Sequence, residues 1–258
     1  MASQTYRVRA LVLKRTKLGE SDVICTLLAE DGSQIRAVAK GARKPSSHFA
    51  SRLEVFSSCD LLLVKGRSLD IVKEARLYES NASLRTSLER SEAASPIVEL
   101  LERATLGALE SPQLYPLSMK ALSYLCSCDL EQTLTISSAH LIKAVSFLGF
   151  KPELHECIGC GSAAFLQEEG AANHAVAFSC IDGGVVCNAC KPAFETITYP
   201  QSLITWLDAL LYSDFETIAS FTLDRATQIS LLRFIQAWIK QHIGSNLKSL
   251  NFLFTYGL

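Results

Sequence analysis

The strongest chemical signal in this chain is four cysteines in two tight pairs, Cys157-Ile158-Gly159-Cys160 and Cys187-Asn188-Ala189-Cys190, with 26 residues between Cys160 and Cys187. A two-residue spacer lets both thiolates of a pair face one point. Two such knuckles make the tetrahedral sulfur cage that Zn²⁺ prefers. Gly159 and Gly161 flank Cys160, and Gly183 and Gly184 precede Cys187; glycines allow the tight, positive-φ turns a knuckle needs. A closed four-thiolate site leaves no coordination position for a substrate. Cys157, Cys160, Cys187 and Cys190 therefore predict one structural zinc ion. Two other readings compete. Disulfides need an oxidising compartment, but the opening residues Met1-Ala2-Ser3-Gln4-Thr5-Tyr6-Arg7 hold no apolar export segment, and the nine cysteines are odd in number. A redox dithiol needs one Cys-x-x-Cys at a helix start, not two matched pairs. His155, His174 and Cys180 lie nearby as substitute ligands, with Cys180 read as a small buried residue.

Around these residues the chain has 258 positions, 48% of them apolar and 20% charged. That composition suits a globular protein with a sizeable core and room for more than one domain. No run of about 18 apolar residues suggests a membrane span, and reduced cysteines without an export signal predict the cytoplasm. The net charge of -1 is unevenly spread. Residues 1–80 carry 14 Lys plus Arg against 9 Asp plus Glu, a net of +5; residues 81–258 carry 11 against 17, a net of -6. A basic first third joined to an acidic remainder predicts an anionic ligand for the first module.

That module reads as strands. Tyr6, Val8, Ala10 and Val12 share one face by period-2 alternation, leaving Arg7 and Arg9 on the other. A polar loop is expected over residues 14–21, then strands over 22–28 and 33–40, joined by an Asp31-Gly32 hairpin signal. Strands are also expected over 53–64, with a bend near Ser57-Ser58, and over 69–77. Five strands without a long helix predict a small closed barrel of the OB-fold type over residues 1–80. From about Asn81 the apolar period becomes helical. Ser95-Pro96 reads as the start of a helix carrying Ile97, Leu100, Leu101, Ala104, Leu106 and Leu109, which Pro112 and Pro116 would break. Further helices are expected over 117–128, 134–148, 202–211 and 223–243. The predicted fold is multidomain α+β. It has the barrel, a helical body over 81–152 and 193–258, and a zinc module inserted at 153–192. An insert this small has too little core to fold alone, and bound metal would supply the missing free energy.

The densest basic cluster is Lys40-Gly41-Ala42-Arg43-Lys44, followed by Arg52. On a barrel loop it offers flexible cations for phosphates, and Lys14, Arg15 and Lys17 would form the other wall of a groove. Ordinary solvated surface is the competing reading. Phe49 and Phe56 are candidate stacking rings, Phe56 with the stronger claim to the core. Catalytic patterns are missing: there is no Gly-x-x-x-x-Gly-Lys-Ser/Thr loop and no His-x-Glu with Pro-Cys-x-x-Cys. His140 reads as a structural residue within a helix, so no enzyme is expected.

Several of these segments resemble a known family. Gly19-Glu20-Ser21-Asp22, Asp31-Gly32, Ala39-Lys40-Gly41-Ala42-Arg43-Lys44, Leu53-Glu54 and Phe56 are similar to the bacterial RecO family of DNA repair proteins. So are Gly149-Phe150, Pro152-Glu153-Leu154, Cys157-Ile158-Gly159-Cys160-Gly161, Phe178-Ser179 and Gly183-Gly184-Val185-Val186-Cys187-Asn188-Ala189-Cys190. The resemblance implies an OB-fold, a helical body, a four-cysteine zinc module and a non-enzymatic role in recombination. It implies binding to single- and double-stranded DNA and annealing of complementary strands. With RecR, such proteins help load RecA onto DNA coated by single-strand-binding protein. Some members lack the zinc cysteines, which makes the metal a matter of stability here. The expected DNA contacts are Lys40, Arg43, Lys44 and Arg52 first, then Arg7, Arg9, Lys14, Arg15 and Lys17. The rival is a scaffold that grips protein partners through its helical body and touches no DNA.

Overall fold

The computed structural model of the chain describes residues 4–105, 110–163 and 175–256. The chain falls into two compact units, the first ending at Thr133 and the second beginning at Leu134.

In the first unit, strands β1 (Thr5–Leu18), β2 (Asp22–Ala29), β3 (Gln34–Ala39), β4 (Ser58–Val64) and β5 (Asp70–Glu79) close into a barrel in the order β1-β2-β3-β5-β4. β3 and β5 run parallel and the other pairs antiparallel. This is the expected OB-type barrel, and the alternation in β1 is its cause. Ala10 and Val12 point inward to join Val23, Cys25, Leu27, Leu61 and Leu63, with Tyr6 and Val8 packed against them. Each fully buried leucine contributes roughly 2 kcal/mol from area removed from water.

Two strand boundaries differ from expectation. The polar stretch after Leu13 is not a loop. A bulge between Val12 and Lys14 shifts the register, and β1 runs on to Leu18, paired with β2. Backbone pairing needs no apolar side chains once a strand passes the end of the core. In the other direction, β4 begins at Ser58 and not at Leu53. Phe56 has φ +74°, which turns the chain before the strand starts, although Leu53 and Phe56 are both buried.

Three helices complete this unit: α1 (Ser83–Thr86), α2 (Leu88–Ala104) and α3 (Leu114–Ser127). Helix α2 starts eight residues earlier than Ser95-Pro96 suggested. Its cap is Ser87, whose hydroxyl accepts from the Arg90 N–H at 3.3 Å. Pro96 lies inside the helix, a placement that costs about 3 kcal/mol in isolation. The buried stripe of Ala93, Ala94, Ile97, Leu100 and Leu101 offsets it. Leu106 and Leu109 lie outside the described residues. Pro116 falls in the first turn of α3 rather than ahead of it.

The second unit contains α4 (Thr133–Phe147) from its second residue onward. It adds β6 (Ala175–Ser179), β7 (Gly184–Val186), β8 (Ile197–Pro200), α5 (Gln201–Tyr212), α6 (Phe215–Ala219), α7 (Arg225–Ile243) and α8 (Lys248–Tyr256). α4, α5 and α7 match their expected spans within two residues; the three-stranded sheet, α6 and α8 were not foreseen. The cysteine-bearing segment shares its core with the helices. Phe178 of β6 meets Phe234 and Trp238 of α7 edge-on at 5.1 and 5.7 Å, and the Trp238 indole donates to the Phe150 carbonyl at 2.9 Å. Among the described residues, no helix is long and apolar enough to cross a membrane.

Helix α4 is buried on nearly every side and carries Thr135, Ser137, Ser138 and His140 at 0% exposure. The hydroxyls find local partners: Ser138 donates to the Leu134 carbonyl at 2.7 Å, and Thr135 accepts from Gln228 at 3.1 Å. Burial pushes the His140 pKa down to about 3, so the imidazole stays neutral in the fold. The unfolded chain takes up that proton near pH 6.5. Stability from this residue is therefore complete above about pH 6.5 and lost as pH falls, at about 1.4 kcal/mol per unit. Both tryptophans, Trp206 and Trp238, lie in the second unit and report its unfolding alone. Urea titrations followed by their fluorescence should show this slope in the wild type and a shallower one in His140→Gln.

Candidate nucleic-acid groove and metal centre

A groove of about 1140 Å³ opens on the outside of the barrel, and every residue lining it belongs to the first unit. Its floor is the outer face of β1, β4 and β5. There Arg9, Asp60 and Arg76 stand in one row across the strands, and Arg7, Leu62 and Glu74 in the next. Its wall is the segment after β3, which supplies Lys40, Lys44, His48, Phe49 and Arg52.

Local bonds explain why that segment presents its cations. The Asp22 carboxylate accepts from the Gly41 N–H at 2.8 Å and from the Ser21 hydroxyl at 2.9 Å. Those bonds, helped by the charges of Lys40 and Lys44, hold it below the usual carboxylate range. Gly41 takes φ +67°, and the Lys44 N–H returns to the Gly41 carbonyl at 3.0 Å. The chain is thus pinned at Asp22 while Lys40 and Lys44 remain exposed.

Seven Lys and Arg side chains line the groove against three carboxylates. Arg9 is neutralised by Asp60 at 2.7 Å and Glu30 at 3.7 Å. Arg52 donates to the Ala75 carbonyl at 2.9 Å, which ties wall to floor. Arg7, Lys40, Lys44, Lys73 and Arg76 form no ion pair among the described residues. The groove therefore keeps a positive surplus that suits a polyanion.

The four predicted cysteines converge in the second unit, their sulfurs all within 4.8 Å of one another. Metal–sulfur bonds of about 2.3 Å in a tetrahedron set sulfur–sulfur edges near ~3.8 Å, and Cys160 Sγ lies 3.8 Å from Cys187 Sγ. This donor set can hold one metal ion. Burial works to raise the Cys157 thiol, but N–H donors of Cys187, Gly159 and Cys160 bring its pKa down to about 6. Cys190 is pushed up to about 12 by the adjacent sulfurs of Cys187 and Cys160. Four thiolates so close repel one another, and a divalent cation at their centre removes that penalty.

The glycines act in two ways. Gly161 has φ +72° and donates to the Cys157 carbonyl at 2.8 Å, the turn expected of a knuckle. Gly159 serves by its lack of a side chain, since a Cβ there would lie 3.1 Å from Cys190 Sγ and 2.9 Å from the Phe194 ring. The alternative ligands point elsewhere. His155 bonds Asp208 at 2.8 Å, and Cys180, its thiol pushed up by burial, hydrogen-bonds Tyr199. His174 lies outside the described residues.

Comparison with known families matches residues 1–81 to the model "Recombination protein O N terminal" and residues 85–251 to "Recombination protein O C terminal". The chain belongs to the RecO family of DNA repair proteins. A DNA repair protein RecO of Desulfitobacterium hafniense strain DCB-2 is 32% identical over 249 residues, covering 95% of this chain and 87% of that protein. One from strain Y51 is 37% identical over 186 residues, 72% of this chain and 64% of the relative. One from Cutibacterium acnes is 32% identical over 254 residues, 96% and 98%. A solved aspartyl tRNA synthetase from Entamoeba histolytica aligns with 97% of this chain and 55% of its own at 11% identity, but with a TM-score of only 0.22.

In this RecO-family chain the nine cations singled out from sequence divide. Arg7, Arg9, Lys40, Lys44 and Arg52 line the groove. Arg43, Lys14, Arg15 and Lys17 do not. Arg43 reaches the Gly19 carbonyl at 3.1 Å, Lys14 pairs with Glu102 at 2.7 Å, Arg15 pairs with Glu54, and Lys17 is exposed on β1. Sequence reasoning missed Lys73, Arg76 and His48. Lys73 and Arg76 are charged residues of a strand, a visible signal, but only barrel closure shows that β5 lies beside β4 and β1.

Proposed function

We propose that this protein is a non-enzymatic recombination mediator that holds DNA in the barrel groove. The observation that carries the reading is the surplus of unpaired cations on one groove of an OB-type barrel, in a family whose relatives are named DNA repair proteins. Cations on a sheet face and a pinned loop grip phosphates and read no sequence. Single and double strands can both bind this way. Two complementary strands held with their bases free are brought to high local concentration, which favours annealing without bond chemistry. In this reading the protein works with RecR to load RecA onto DNA coated by single-strand-binding protein, in the cytoplasm at the nucleoid. The four-thiolate cluster holds one zinc ion, fully coordinated by protein and structural in role.

Fluorescence anisotropy of a labelled single-stranded oligonucleotide, repeated at several salt concentrations, tests the reading. Affinity should fall by about 0.7 log units per log unit of salt for each phosphate neutralised. No binding at low salt would remove DNA from the groove and favour a protein scaffold.

A further inference from the structure

Arg9 was expected to be one of the phosphate contacts, but its surroundings suit a different task. Its charge is balanced by Asp60 at 2.7 Å and Glu30 at 3.7 Å, so it adds little to the attraction for phosphate. Its guanidinium lies 3.7 Å over the ring of Tyr78. Tyr78 is 51% exposed and stands at a register shift in β5, two residues beyond Arg76. We propose that Arg9, which lines the groove, and Tyr78, just outside its lining, form a stacking platform for an unpaired nucleobase. The inference rests on the reading of the groove as a DNA site and adds what that reading lacks, a preference for single strands.

Three observations carry it. A guanidinium fixed by two carboxylates and an aromatic ring is a flat, pre-organised surface, and bases stack on such planes and on tyrosine rings. The charge along β1 is divided: Arg7 is unpaired, whereas Arg9, two residues on, is flanked by carboxylates that repel phosphate. The backbone is therefore drawn to Arg7, Arg76 and the wall lysines, and a base beside them meets the neutralised Arg9 and Tyr78. Tyr78 is also half exposed, and its ring is held by the Arg9 guanidinium rather than sunk into the barrel core. In a duplex the base faces are occupied by their neighbours, so this platform can engage only unpaired bases.

The test compares a labelled thymidine oligonucleotide, an abasic strand of the same length and a duplex. Base–aromatic stacking is worth about tenfold or more in affinity per base. Tyr78→Ala should lose about that factor on the thymidine strand and stay within about twofold on the abasic strand and the duplex, with the salt slope unchanged; Tyr78→Phe should keep wild-type affinity. An equal loss on all three nucleic acids, or no loss on any, would overturn the platform. Should Tyr78→Ala fold poorly, Tyr78→Trp decides: its added fluorescence should be quenched by the thymidine strand and not by the abasic one, and absence of quenching counts against the proposal. If Tyr78→Ala is silent while replacement of Arg7, Lys40 and Lys44 weakens binding about 100-fold, the platform fails and the groove stands. If the wild type binds no DNA, the groove reading itself fails.

Discussion

Replacing Arg7, Lys40 and Lys44 together by alanine should weaken single-stranded DNA binding about 100-fold at low salt and flatten the salt slope by about 2 log units per log unit. Each of the three is exposed, lines the groove and lacks an ion-pair partner among the described residues, so each is available to a phosphate. One contact is taken as worth roughly fivefold, and each released counterion contributes about 0.7 to the slope on a single strand. The matched control is Lys14→Ala with Arg15→Ala. Those cations already pair with Glu102 and Glu54, and their loss should change affinity by no more than about twofold. Equal losses in the two variants would mean that net charge alone attracts DNA and that the groove has no special part. Anisotropy titrations at four salt concentrations would separate these outcomes.

Cys157→Ser combined with Cys187→Ser should unfold the cysteine module while leaving DNA affinity within about twofold of wild type. The apolar cluster around Cys157, Ala177 and Val186 is small, with Ile158 and Phe194 only partly buried beside it. Metal binding in such modules supplies on the order of 10 kcal/mol, far more than a cluster of that size provides. Amide exchange is the sensitive measurement. Protection of Val176, Phe178, Val185 and Val186 should fall at least roughly a thousandfold, with a smaller effect at α4. Elemental analysis should find one zinc per wild-type chain and none in the variant. Unaltered protection in a metal-free protein would show that the sheet holds itself together through Phe178, Phe234 and Trp238. Because the groove is built only from first-unit residues, a large loss of DNA binding in this variant would also count against it as the binding site.

Much of this protein follows from local pattern. Period-2 alternation in residues 6–12 puts Ala10 and Val12 in the barrel core because a strand has only two faces. Two Cys-x-x-Cys pairs predict a sulfur cluster because short spacers leave each pair of thiols few ways to point. The spans of α4, α5 and α7 were legible from local apolar patterning as well. The errors share a cause as well. Ser95-Pro96 carries a local start signal, yet α2 begins at Leu88, capped by Ser87, because burial of Ala93 and Ala94 outweighs one misplaced proline. The polar run after Leu13 reads as loop until its backbone is seen paired to β2.

Charge shows the division most clearly. The sequence by itself determined that the first third is basic, that four thiols must meet and that the barrel has five strands. Only the tertiary structure decided which cations are free. Arg9, Lys14 and Arg15 are satisfied by Asp60, Glu102 and Glu54, which lie 51, 88 and 39 residues away in the chain. Lys73 and Arg76 enter the groove because β5 closes against β4. Hydrophobic periodicity is local and can be read residue by residue. Whether a charge is available to a ligand depends on its neighbours in space, and barrel closure chooses those neighbours.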